Sequence, residues 1–208
     1  MANRYVDGWQ AHNDNIRKKV GVKNVDINTA GCGVVPAAQA ATVSVVEKGD
    51  GIFHQTVFTF ADAPITMRDT EQGGGLQIYT FPLGRILFLG GSGSITPTTT
   101  SAIATTLNSG VTCQWGVGTV TQANATLATT EQDLVQVAAW VSSTAINTAP
   151  AVSTASPGIA ILTPYAGIST ATAAFLNLAV ATATDIDADA TTTTDGTVTL
   201  TWVNLGLL

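Results

Sequence analysis

Positive charge is what this chain most lacks. Of 208 residues only 8 are Lys or Arg. All lie within residues 1–85: Arg4, Arg17, Lys18, Lys19, Lys23, Lys48, Arg68 and Arg85. Residues 86–208 carry no base but hold Glu131, Asp133, Asp185, Asp187, Asp189 and Asp195. A nucleic-acid interface neutralises phosphates with a basic stripe, and the back of the chain has nothing to build one from. The small cluster Arg17-Lys18-Lys19 with Lys23 reads first as a solvated face, so nucleic acid is not an expected partner. Charge of either sign is scarce, at 11% against about 25% in an ordinary soluble domain. Free cytosolic enzymes usually stay soluble through charge, so this surface suits them poorly.

Other absences narrow the class further. No stretch reaches about 18 consecutive apolar residues, which argues against a transmembrane helix and a membrane partner. The opening MANRYVDGWQAHNDN has no apolar segment of the secretory type. The cysteines, Cys32 and Cys113, are far apart without metal-type spacing, and they read as two buried thiols. No amphipathic helix of about 10–15 residues separates the strand-like runs, which excludes a βαβ architecture.

What is present is β-patterned. Residues 1–40 hold most of the bases and half of the asparagines and read as an extended N-terminal arm with little core of its own. A short helix there is weakly signalled by Trp9, Ile16 and Val20 on one stripe. From residue 41 the period changes to two. ATVSVVEK and IFHQTVFTF flank Gly49-Asp50-Gly51, a hairpin signal. Asp62-Ala63-Pro64, Gln72-Gly73-Gly74-Gly75, GSGS and ITPTTT read as breaks or loops. LQIYTFP, RILFLG, VTCQWGVGTVT, LVQVAAWV, GIAILTP, ATAAFLNLAVATAT and TVTLTWVNL read as further strands, because Thr is stiff at its first side-chain torsion and favours them. Thr130-Glu131-Gln132-Asp133 is a short helix or turn. The expected fold is all-β: an antiparallel β-sandwich or jelly-roll-like barrel over 41–208, with the arm at 1–40.

Catalytic chemistry is thinly provisioned. There are 2 histidines, His12 in the arm and His54 within a strand, where a hydrogen-bonded structural role is the first reading. There is no G-x-S-x-G elbow, and GGSGS lacks the helix and Lys of a phosphate cradle. Asp185, Asp187 and Asp189 have a spacing that can present carboxylates to calcium, but Ala190 and Gly196 stand where an EF-hand needs Gly and Glu. A solvated acidic loop is the plainer reading, and neither a metal nor a cofactor is expected. Trp115, Trp140 and Trp202 lie in strands and read as core. Trp9 sits with Tyr5 among bases and amides. It is either an interface anchor or a residue folded back on the body.

The segment ATVSVVEKGDGIFHQTVFTFADAPITMRD (41–69) resembles tailed-bacteriophage capsid decoration proteins, also called cement or head-stabilising proteins. The shared pattern is a V-x-V-V-E-x-G-D-G opening, a histidine, and a T-V-x-T-x strand. The ending FLNLAVATATDIDADATTTTDGTVTLTWVNLG (175–206) is similar to the same proteins in its acidic loop, G-T-V strand start and W-x-N-x-G close. The resemblance implies a β-rich, non-enzymatic virion protein on the capsid surface. Its partner would be the major capsid protein, and a homotrimer would suit a threefold lattice position. Arg4, Tyr5, Trp9, Arg17, Lys18 and Lys19 are then the expected gripping residues. Two other classes stay open: a receptor- or glycan-binding head-fibre or tail-fibre module with aromatics near Asp185–Asp195, and a hydrolase-like enzyme using His54.

Overall fold

The computed structural model describes residues 23–25, 33–49, 52–99, 112–141, 151–154, 165–167, 171–180, 186 and 188–205. Among them are eleven strands, eight from the period-two runs and three, at Lys23–Val25, Ala151–Thr154 and Tyr165–Gly167, that the pattern does not announce. These are β1 (Lys23–Val25), β2 (Val43–Gly49), β3 (Phe53–Met67), β4 (Gly73–Thr80), β5 (Gly84–Thr99), β6 (Thr112–Gly118), β7 (Val135–Val141), β8 (Ala151–Thr154), β9 (Tyr165–Gly167), β10 (Ala173–Val180) and β11 (Ala190–Asn204). One sheet runs β1-β2-β3-β11-β5-β8, with β9 also on β5; the other runs β4-β10-β6-β7. Every pairing is antiparallel. The two sheets pack face to face, so of the two expected architectures the antiparallel sandwich is the one that forms.

The core lies between the sheets. Phe58, Phe60, Ile65, Phe88, Val198, Leu200 and Trp202 face inward from the larger sheet, and Ile78, Tyr79, Trp115, Leu176 and Leu178 from the smaller. Edge-to-face contacts link Phe58 to Tyr79, Tyr79 to Phe81, and Phe81 to both Phe88 and Trp202. Each large apolar side chain buried this way contributes about 1.5–3 kcal/mol. Packing is tight: the apolar depression among Phe81, Ile86, Phe88, Thr119 and Thr172 has no room for a water molecule. Cys113 is buried in β6 as a thiol, and Cys32 lies outside the described residues.

Several expected breaks are corrected. β3 passes through Asp62-Ala63-Pro64 without ending. Asp62 takes φ 52°, and the partner register on β11 slips between Thr194 and Gly196. The result is a β-bulge, which changes the inward phase from even residues up to Phe60 to odd residues from Ala63. Gly73, Gly74 and Gly75 are not a loop either; they open β4. A Cβ on Gly74 would sit 2.0 Å from the carbonyl oxygen of Thr66, so glycine serves close approach of two backbones. β5 likewise runs through GSGS and into ITPTTT, and a Cβ on Gly93 would lie 3.0 Å from the indole of Trp115. β11 starts seven residues earlier than the TVTLTWVNL run. The short helix at Thr130 is a 3-10 turn, Thr129–Glu131. GIAILTP lies outside the described residues.

Part of the segment assigned to the arm joins the body. Lys23–Val25 pairs with Glu47–Gly49 at the sheet edge. Val34 and Thr80 exchange two backbone hydrogen bonds, at 2.9 and 2.8 Å. The body therefore begins before residue 41.

Candidate functional site

The β2–β3 hairpin puts two ionisable residues on the inward phase of its strands. Val43, Val45 and Glu47 share one face of β2; His54, Thr56 and Phe58 share one face of β3. Glu47 is 1% exposed and His54 4%. Nδ1–H of His54 donates to Oε1 of Glu47 at 2.5 Å. The other carboxylate oxygen accepts from the Tyr79 hydroxyl, on the opposite sheet. That hydroxyl in turn accepts the N–H of Gly33 at 2.7 Å. The imidazole stacks on the indole of Trp202 with centroids 3.8 Å apart and planes 6° from parallel. The indole N–H donates to the Thr56 hydroxyl at 2.8 Å.

This set ties four strands and the chain entering at Gly33. A buried carboxylate is tolerated only when hydrogen-bonded and paired, and Glu47 has both a histidine and a phenol. As catalytic machinery the set would need Nε2 of His54 to face a substrate. That nitrogen is buried with no hydrogen-bond partner among the described residues, and Trp202 covers the ring. The arrangement locks the two sheets together, as the structural reading of His54 anticipates.

A second buried network holds the connection from β6 to β7. Asn177 on β10 accepts the N–H of Gln122 and donates to the carbonyls of Val120 and Glu131, at 2.8–2.9 Å. Glu131, 5% exposed, accepts the N–H groups of Ala123 and Ala128, both at 2.8 Å. Gln122 donates to the carbonyls of Glu71 and Asn124. These polar side chains add to the few backbone bonds of the segment, such as Val120 N–H to the Thr130 carbonyl and Leu134 N–H to the Val117 carbonyl.

Of the expected site residues, Arg4, Tyr5, Trp9, Arg17, Lys18 and Lys19 lie outside the described residues, as do His12, Asp185 and Asp187. Asp189 is exposed and its carboxylate accepts the N–H of Asp69 at 3.0 Å. Asp195 does the same for Asp62 at 3.0 Å, across the bulge. The described residues contain no group of three or more His, Cys, Asp or Glu placed to hold a metal. No helix among them is long and apolar enough to cross a membrane. Trp115, Trp140 and Trp202 are buried, as read from sequence.

Two central rows on the outer face of the larger sheet carry no charge. Ser44, Thr59, Thr197 and Ser94 stand opposite one another across four strands; Val46, Val57, Thr199 and Ser92 form the next row. At the hairpin end the face turns apolar, with Ile52, Phe53, Leu83, Leu89 and Leu205 between 38% and 57% exposed. Sequence reasoning missed this patch and the Glu47–Tyr79 contact. The signal for Glu47 was available: an acid in phase with Val43 and Val45. Compared with protein-family models, curated proteins and solved structures, the chain matches none of them.

Proposed function

We propose that this chain is a structural virion protein that decorates a tailed-phage capsid and stabilises it by cross-bridging capsomers as a trimer bound to the major capsid protein. The observation that carries the reading is the meeting of the two decoration-like segments. Residues 41–69 and 175–206 are more than a hundred positions apart, yet they supply adjacent strands β2, β3 and β11 of the larger sheet, with the start of the second segment lying in β10 of the other sheet. They interlock through His54 on Trp202, Trp202 on Thr56, and Asp195 on Asp62. The resemblance thus falls on one physical unit and not on two scattered matches.

The physics of bracing agrees. A lattice brace must resist shear, and a sandwich whose sheets are tied by a buried Tyr–Glu–His chain is stiff. Weakly charged outer rows of Ser, Thr and Val can pack against a neighbour without desolvating ions. A basic, aromatic N-terminal segment can contribute a grip on each subunit, and several acting together gain avidity. Among the described residues no observation favours the fibre-module reading: Asp189 and Asp195 accept backbone amides, and Trp115, Trp140 and Trp202 are buried.

The test has two parts. Quantitative gels of purified virions are expected to show hundreds of copies per particle; a dozen or fewer would select a fibre instead. Removing residues 1–22 leaves β1 intact and is expected to abolish binding to undecorated capsids. Undiminished binding would overturn the gripping role of Arg4, Tyr5, Trp9, Arg17, Lys18 and Lys19.

A further inference from the structure

The outer face of the smaller sheet is covered by the chain itself. The strand register places Gly75, Asn177 and Gly116 in one row across β4, β10 and β6. In the rows on either side Gly118 lies opposite Phe175, and Gly73 opposite Ala179. A side chain at any of these four glycines would strike residues 119–134, the connection from β6 to β7. A Cβ on Gly75 would lie 2.3 Å from the Thr121 hydroxyl, one on Gly118 2.2 Å from the Thr130 carbonyl oxygen, and one on Gly73 2.6 Å from the Gln122 amide. On Gly116 it would press on Gln132 and Leu127 at 3.1 and 3.3 Å. The strands thus forgo side chains so that this connection lies flush on them, with Leu127 buried against the floor.

The connection is also tied at its neck and along its length. The Asp133 carboxylate accepts both the N–H and the hydroxyl of Thr119, each at 2.8 Å, which brings its two ends together. Asn177 and Glu131 hold its backbone, and Gln132 donates to the Leu127 carbonyl at 2.7 Å. Burying polar side chains costs free energy that a plain apolar cover would not, so what they secure is the shape of the loop. Ordered connections of more than about 12–15 residues are uncommon in compact domains and are usually functional. Compact loops with closed ends are of that kind.

The outward side of the loop has one chemical character. Val120, Ala123, Asn124, Thr126, Ala128 and Thr129 are exposed, and none carries a charge. The loop's two acids are turned away from that side: Glu131 is buried, and Asp133 is bound to Thr119. Gln122 donates to the Glu71 carbonyl, and the Glu71 side chain is neutralised by Arg68 at 3.1 Å. Such a surface has no cation to offer a phosphate. It presents hydroxyls, methyls and an amide, which meet another uncharged protein surface without ions to desolvate. Fixed seating also removes the ordering cost that a mobile loop would incur on binding.

A cross-bridge needs contacts on two sides of the body. The N-terminal stretch joins the outer edge of the larger sheet through β1, whereas this loop lies over the outer face of the smaller sheet. We propose that residues 119–134 form a preshaped contact surface for an uncharged patch of the major capsid protein, a second grip that complements the N-terminal one. The inference rests on the decoration reading and adds to it the part of the body that touches the lattice.

The test titrates the full-length chain onto undecorated capsids. Thr126→Arg and Ala123→Arg each place a charge on the exposed side of the loop and remove no buried side chain. Each is expected to bind about tenfold more weakly, with the thermal midpoint unchanged. Thr66→Arg makes the same exchange at an exposed position of β3 in the larger sheet and is expected to bind like the unaltered chain. Equal affinity of both loop variants and the unaltered chain would overturn the contact and leave the decoration reading standing. An equal loss in Thr66→Arg would overturn it too, because added charge alone would then account for the effect. No binding by the unaltered chain would overturn both readings. Amide exchange checks the shape without a capsid. The N–H groups of Ala123, Leu127 and Ala128 are expected to exchange as slowly as those of the strands, and exchange at the rate of an open chain would overturn the preshaped surface.

Discussion

Glu47 is a carboxylate with almost no water to solvate it, and two side chains do that work instead. His54 holds one oxygen and Tyr79 the other. Removing one partner of a buried hydrogen-bonded pair leaves the remaining polar group unsatisfied, at about 1–3 kcal/mol. His54→Ala is therefore expected to lower stability by about that amount, seen as a fall in the guanidinium midpoint with an unchanged slope. Tyr79→Phe also strands the N–H of Gly33, and a loss of about 1–3 kcal/mol is expected. If His54→Ala unfolds at the wild-type midpoint, the lock has no energetic weight and His54 needs another explanation. The same residue shows how far composition reaches. Its place on the inward phase of β3 was readable from IFHQTVFTF, whereas its stacking on Trp202 joins positions 148 apart in number.

At the scale of elements, the long β3–β11 pairing depends on how its bulge is built. Asp62 sits at φ 52°, and Asp195 reaches across to accept its N–H. Gly196 takes φ 129°, and a Cβ there would lie 2.2 Å from the carbonyl oxygen of Ser94. A side chain at that position is both conformationally strained and in collision with β5. Gly196→Ala is expected to destabilise by about 2–3 kcal/mol or more, and Asp195→Ala by only about 1 kcal/mol, the worth of one hydrogen bond. Thermal melts of the two variants rank them; the reverse order would mean that the hydrogen bond, not the backbone, makes the bulge. Loops and strands were confused from sequence at these points for one reason. Glycine marks a turn when φ must be positive and marks a close approach when another backbone lies above it, and the two look alike in a string of letters.

For the molecule as a whole, the decisive fact is that the last strand lies between β3 and β5. The larger sheet is incomplete until the C-terminus arrives. A chain ending at residue 189 would leave β3 and β5 as long unpaired edges with inward faces uncovered. Such a chain is expected to be insoluble on expression, whereas one lacking residues 1–22 stays soluble and keeps the wild-type unfolding free energy within about 0.5 kcal/mol, the usual scale of surface changes. A soluble, cooperatively unfolding 1–189 fragment would show that the β2–β3 unit stands without β11.

The all-β class, the hairpin at Gly49–Gly51 and the buried tryptophans followed from the sequence alone, because a period of two and the stiffness of Thr, Val and Ile act within a few residues. The partner of each strand, the bulge at Asp62, the Tyr79 link from Gly33 to Glu47 and the apolar patch at Phe53 were decided only by the tertiary structure. Those depend on which distant segments share a sheet, and local preferences carry no information about a neighbour more than a hundred residues away.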